Sequence, residues 1–316
     1  MSKILIVGGA GYVGGWLTDE AIRTGNEVRV IDNLTYEDLY LKDVDFVFGD
    51  VLDFDLIKKN LSWADTVVWL AALVGDPACA INPSLTKKIN VESVKNLVNN
   101  FDGRVIFPST CSVYGAQNGL LNEDSPVGPL SLYAASKLEA ENILLKSNVT
   151  PLIFRLGTLF GISDTYARLR VDLVLNVLTI RAVTEGTMIV FGGEQYRPLL
   201  HVRDVATAVI PHLNDTTSGI YNLSAENITI FQLAERIQKV VTKVKIQQTE
   251  ISFQDARNYR VSTNKVKDEL KFIPRWTIED GIEEVAGIIM QQRIKDIGNP
   301  KFNNYESLKV QRKGSV

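Results

Sequence analysis

Residues 4–7, ILIV, run straight into a turn with glycine at positions 8, 11 and 14, and this junction constrains the chain more than any other feature. Four apolar residues, a glycine-rich turn and then an amphipathic stretch describe a buried strand delivered into the start of a helix. Glycine permits the turn and lets the backbone approach a ligand closely. Free amides and the positive end of the helix then attract phosphate. A dinucleotide's pyrophosphate fits this arrangement, with Gly8, Gly11, Tyr12, Val13 and Gly14 around it.

The same rhythm continues for half the chain. Short apolar runs at 28–31, 46–48, 67–70, 105–107 and 152–154 alternate with helical patterns at about 12–24, 55–61, 84–100 and 131–147. Strands alternating with crossover helices imply a parallel sheet covered on both faces. The expected fold is α/β: a Rossmann-type doubly wound sheet over residues 1–156, with a later return at about 193–213. Residues 157–298 read mainly as a smaller α+β substrate-binding cap. Its helices are expected near 170–184, 203–212, 230–241 and 278–293, and a strand near 188–191. Residues 299–316 are polar and aperiodic and are expected to form a flexible tail.

Asp32 ends the second strand, where a carboxylate can accept hydrogen bonds from the adenosine ribose hydroxyls and repel a 2′-phosphate. NAD is therefore expected rather than NADP, with Asn33 alongside. Asp50 and Val51, after the third strand, fall beside the adenine. Leu70, Ala71 and Ala72 end the fourth, where small residues let the cofactor pass.

The net charge is -3 and no basic stripe is evident, which disfavours nucleic acid as a partner. Cys79, Cys111, His201 and His212 show no metal-ligand spacing, so no metal is expected. No apolar stretch approaches the roughly 20 residues of a membrane span. The first strand reads as buried structure rather than a signal peptide, so the cytoplasm is the expected address.

Tyr133 and Lys137, in YAASK, stand four apart on a predicted helix and so share a face. A neighbouring ammonium and the positive charge of an oxidised nicotinamide both favour the phenolate, which could take a proton from a sugar hydroxyl. The strand at 105–107 runs into Ser109, Thr110, Cys111 and Ser112, placing hydroxyls at the carboxyl edge where such sheets bind ligands.

Taken in order, GGAGYVG, Asp32, FGDV, LAA, STCSVYG and YAASK resemble the extended short-chain dehydrogenase/reductase family, in particular its nucleotide-sugar epimerases and dehydratases. The resemblance runs to about residue 292. It implies a triad of Thr110, Tyr133 as base and Lys137, with Lys137 also holding the nicotinamide ribose. Thr110 would bond the reacting sugar oxygen while a hydride leaves the sugar carbon, by default C4. RPLLHV and DARNYRVSTNK resemble the family's phosphate-binding segments, which makes Arg197 and Arg257 candidate anchors of the substrate diphosphate. Phe191 and Gly192 would border the base, Asn176 would lie on the substrate side, His201 would be structural, and Asn90 would shape a bend beneath the site. The resemblance also implies a homodimer through a four-helix bundle of 84–100 and 131–147.

One departure bears on the reaction. Where the family's 4,6-dehydratases carry an Asp-Glu pair after the threonine, this chain has Cys111 and Ser112. Dehydration thus lacks its usual acid and base, and Cys111 reads better as a packed thiol than as a proton donor. Net epimerisation ranks first, net 4-dehydrogenation or keto-sugar reduction second. A non-catalytic NAD-binding module is the reading from a different class.

Overall fold

The computed structural model describes residues 2–165, 168–250 and 258–313. Its first strand, β1 (Lys3–Val7), is apolar and buried along its last four positions, so both of its faces must be covered. Parallel β2 (Glu27–Asp32) and β3 (Asp45–Phe48) extend the sheet to one side, and β4 (Thr66–Trp69) and β5 (Arg104–Thr110) to the other. That reversal of build direction between β1 and β4 opens the crevice at the strands' carboxyl ends.

After β5 the chain leaves the sheet for β6 (Ala116–Leu121) and returns as β7 (Thr150–Leu156) beside β5. The helices α1 (Gly14–Arg23), α2 (Phe54–Leu61), α3 (Asp76–Ile81), α4 (Pro83–Lys87), α5 (Ser93–Asn100) and α6 (Leu132–Leu145) fill the crossovers. The stretch expected as one helix over 84–100 is interrupted by a π-helical turn at Lys88–Glu92. There Asn90 faces inward, accepting from Leu73 N at 2.8 Å and donating to Leu73 O and Ser136 Oγ at 3.0 Å each.

In the cap, β8 (Thr158–Phe160) and β9 (Thr187–Phe191) pack against α7 (Val174–Glu185), which starts four residues later than expected, and β10 (Tyr196–His201) follows. The chain then recrosses as α8 (Val202–Val209). It supplies β11 (Gly219–Leu223), which pairs with β7 as the seventh strand of the central sheet, so the return to the Rossmann unit extends past the expected 193–213. Two small sheets, formed when β12 (Glu226–Thr229) joins β10 and β13 (Lys245–Thr249) joins β9, pack against α9 (Ile230–Val240) and α11 (Ile278–Met290) over a core that includes Leu175, Met188, Leu233 and Ile282, and α10 (Asn264–Leu270) lies between those two helices in the chain. Alternation along β11 through β13 is too short for sequence reasoning to separate these strands from loops.

The flexible tail is a correction. Residues 304–313 form a helix, the described segment folds back onto the molecule, and Phe302 packs with Leu169, Ile180 and Val285. The helix is polar because hydrogen bonds rather than an apolar stripe hold it, which is why periodicity missed it. Among the described residues no helix is long and apolar enough to cross a membrane.

Candidate active site

The glycine turn is built by exclusion. Gly8 sits at φ +85, and a Cβ there would lie 2.6 Å from Ala71 N. At Gly14 a Cβ would strike the backbone of Gly9, so this position lets α1 start directly against the turn. An added Cβ on Gly11 would meet only Gly8 O, at 3.4 Å, because that side opens onto the cleft. Tyr12 secures the turn from the far side, its hydroxyl donating to Gly161 O at 2.6 Å.

Asp32 lies where β2 ends. It accepts from Ala10 N at 3.0 Å and from Leu34 N at 2.8 Å, so it shapes the turn as well as facing the cleft. Burial raises its carboxyl above the ordinary range, and the backbone donors oppose that shift. Asn33 donates to Asp50 at 2.7 Å. The turn residues Gly8, Gly11, Tyr12, Val13 and Gly14 line one continuous cleft with Asp32, Asn33, Asp50, Val51, Leu70, Ala71, Ala72, Tyr133 and Lys137. These features suit an extended dinucleotide: an amide-rich bare turn in the middle, a carboxylate at one end and a tyrosine and lysine at the other. Substituting Asp32 with Ala is expected to weaken NAD binding by about 1.5–3 kcal/mol, the worth of a charged hydrogen bond, and to narrow the preference over NADP. Titration calorimetry with both dinucleotides checks this.

Thr110 ends β5 and caps the 3-10 turn Cys111–Tyr114, accepting from Ser112 N at 3.1 Å. Ser131 caps α6 and delivers Tyr133 in its first turn. Thr110 and Tyr133 both line the substrate cleft. Burial pushes the Tyr133 phenol well above its usual range and Cys79 adds to the shift, while Arg170 and Thr110 pull it back. Tyr133 stands where two compartments meet, because its ring lines both the dinucleotide cleft and a second cleft that holds Thr110, Ser112, Phe191 and Arg197.

Lys137 lies one turn on, buried, with its ammonium 3.8 Å above the Phe107 ring. Desolvation pushes it down from 10.5 to about 7, with Glu141 opposing. The unfolded chain therefore holds a proton that the folded one releases between those values. The associated stability rises with pH across this window and is lost as pH falls through about 7. Accordingly Lys137→Met is expected to gain thermal stability over the parent at pH 7, an advantage that shrinks toward pH 10. A parallel pH dependence for the two proteins would refute the assignment.

Several predicted residues sit elsewhere. Cys111 is fully buried, its thiol 3.0 Å from Arg155 O, and packs with Val113, Tyr114 and Tyr259 rather than facing the substrate cleft. Asn176 is also buried, bridging Gly161 and Arg170 backbone groups, because the cap loop must satisfy its own polar atoms there. Arg257 lies outside the described residues. His201 caps α8 through Nδ1, meets Glu284 at 3.0 Å and stacks on Trp276, a structural role.

Sequence reasoning missed other wall residues. Tyr36, Glu37 and Arg168 line the dinucleotide cleft, Asp76 lines the substrate cleft, and Arg170 and Asn304 line both. It also missed the brace under α6, in which Arg155 forks onto Glu141, Ser109 donates to Glu141, and Arg155 reaches the Tyr114 hydroxyl at 3.0 Å. A signal existed, since Glu141 follows Lys137 by four on the same helical face.

Comparisons with known proteins agree with this construction. The UDP-glucuronic acid decarboxylase 1 of Danio rerio is 27% identical over 302 residues, covering 89% of this chain and 71% of that protein. A putative UDP-glucose 4-epimerase of Methanocaldococcus jannaschii is 30% identical over 226 residues, covering 67% of this chain and 73% of its own. In fold, the chain superposes on the NAD dependent NDP-hexosamine 5,6-dehydratase TunA with a TM-score of 0.81 at 24% identity, over 92% of this chain and 99% of the other. The model of the NAD dependent epimerase/dehydratase family matches residues 4–224, which carry the glycine turn, Asp32, Thr110, Tyr133 and Lys137. The chain belongs to the NAD dependent epimerase/dehydratase family.

Proposed function

We infer that the chain acts on a nucleoside-diphosphate sugar, oxidising a hydroxyl-bearing carbon, by default C4, and completing a net epimerisation. One observation carries this reading: Tyr133 faces both compartments, with Thr110 on the substrate side and Lys137 on the dinucleotide side. When bound, NAD supplies the acceptor for the hydride that leaves the sugar carbon. The chain's own residues do the rest. Thr110 orients the reacting oxygen, Tyr133 takes its proton, and Lys137 stabilises the phenolate and holds the ribose.

Arg197, buried on β10, faces the substrate cleft and suits a diphosphate through its guanidinium fork. Phe191 offers a flat apolar surface for a base. Epimerase, decarboxylase and dehydratase names all occur among the relatives. Ser112 and the packed Cys111 provide no carboxylic acid next to Thr110, which favours return of the hydride over loss of water. Helices α5 and α6 are the proposed dimer surface.

The test is a panel of UDP-, GDP-, CDP- and dTDP-sugars followed by NMR for product stereochemistry and by NADH absorbance. A new epimer without net NADH supports the reading. Net NADH that needs an external oxidant to turn over replaces it with a dehydrogenase, and tight NAD binding with no turnover replaces it with a binding module.

A further inference from the structure

The polar segment that ends the described chain packs along the wall of the dinucleotide cleft instead of trailing from the cap. At the Asp32 end, Gln311 donates to Thr35 O at 2.5 Å and Lys301 meets Asp38 at 3.0 Å, so the segment grips the loop that follows β2. That same loop supplies Thr35, Tyr36 and Glu37 to the cleft wall. At the Tyr133 end, Asn304 lines both compartments.

Asn304 is 3% exposed and fully engaged there. Its Nδ2 donates to Val74 O at 3.1 Å, its Oδ1 accepts from Arg168, and its backbone N–H donates to Asp172 at 3.3 Å. Arg168 in turn lies 4.6 Å over the Tyr36 ring, and its backbone N–H donates to Glu37 at 3.3 Å. One asparagine thus joins the loop after β4, the cap loop at 168–172 and the terminal helix, which we now call α12 (Asn304–Lys313).

The way the segment is anchored suggests how it moves. Phe302 is packed into the cap among Leu169, Ile180 and Val285, and Val171 N bonds Phe302 O at 2.9 Å. Beyond that anchor α12 fully buries no large apolar side chain: Tyr305 and Leu308 are half-buried and Val310 is exposed, while Asn304 and Gln311 hold the cleft wall by hydrogen bonds and the Lys301–Asp38 ion pair stands on the near side of the anchor. A helix held by polar contacts on a buried apolar pivot opens at low cost, because few apolar contacts must break.

We propose that residues 299–313 form a hinged clasp over the dinucleotide cleft, with Asn304 as its latch and positioning residue, so that NAD stays resident through the catalytic cycle. The clasp deepens the reading above and rests on NAD occupying this cleft. A resident cofactor returns its hydride to the same sugar, which is the condition that separates isomerisation from net dehydrogenation.

The experiment measures the NAD dissociation rate of the full-length protein by stopped-flow displacement, for the parent, Asn304→Ala and the double variant Lys301→Ala/Gln311→Ala. Losing Asn304's bond to a guanidinium and its bond to Val74 O is expected to speed release by about tenfold or more. The double variant, confined to exposed contacts and leaving the Phe302 anchor intact, is expected to speed release less and keeps the test valid if Asn304→Ala does not fold. Unchanged release in the folded variants overturns the clasp. Faster release from the variants, with a parent protein that turns over no nucleotide sugar, keeps the clasp and overturns the proposed function instead.

Discussion

Replacing Tyr133 with Phe is expected to lower turnover by about 10²–10⁴-fold, the usual worth of a positioned acid or base, while leaving the fold and NAD binding intact. The ring contributes packing that phenylalanine retains, since Tyr133 is only half-buried and faces two clefts. What disappears is the oxygen between Thr110 and the substrate. In the free protein, burial holds the phenol above its ordinary range, so proton abstraction improves as pH rises. Turnover of the parent should therefore climb on the alkaline side, and that limb should be absent from Tyr133→Phe. Steady-state kinetics across pH, with calorimetry for NAD, separates the two effects. A variant that loses NAD binding in proportion to activity would make Tyr133 a wall residue rather than the base.

Glu141→Leu is expected to cost about 3–5 kcal/mol of stability, because it strands a buried cation. Arg155 and Glu141 are 4% and 1% exposed, joined at 2.8 Å, and Ser109 donates to the same carboxylate. The guanidinium would keep only its bonds to the Tyr114 hydroxyl and Glu123 O. The paired replacement Glu141→Leu/Arg155→Met should recover most of the loss, since an apolar pair of similar volume often matches a buried ion pair. The catalytic consequence is separate: this brace sets α6 against β5 and β7, so the double variant should fold yet turn over slowly. Denaturant unfolding and kinetics of the three proteins test both parts. A single variant as stable as the parent would show that the pair contributes nothing.

Much of this was legible from the residues. The strand-turn-helix with its three glycines pointed to a dinucleotide cleft, and in the structure a side chain at Gly8 or Gly14 would strike neighbouring backbone. Asp32 and the Tyr133/Lys137 pair followed from where strands end and from helical spacing. Spacing alone would not have sufficed, however. Tyr305 and Lys309 repeat the interval on α12, and what distinguishes Tyr133 is its place beside the hydroxyls after β5. The brace and the clasp were less readable because they depend on contacts between residues far apart in the chain. Arg155 and Ser109 reach Glu141 from two different strands, and Asn304 meets Val74 from 230 positions away. Asn176 was placed on the substrate side by the resemblance, whereas it points into the protein; Cys111, grouped with the hydroxyls after β5, is the packed thiol its chemistry suggested. A residue's position along a strand end does not fix which side its chain takes when a 3-10 turn intervenes.

The central claim is that a hydride leaves the sugar and returns to it within one closed site. The most direct measurement supplies a substrate nucleotide sugar carrying deuterium at the reacting carbon, with a trace of added unlabelled NADH, and reads the product by NMR. The account predicts an inverted centre that keeps its deuterium, with none appearing in the free dinucleotide pool. Deuterium passing into that pool, or a keto-sugar as the sole product, would contradict it.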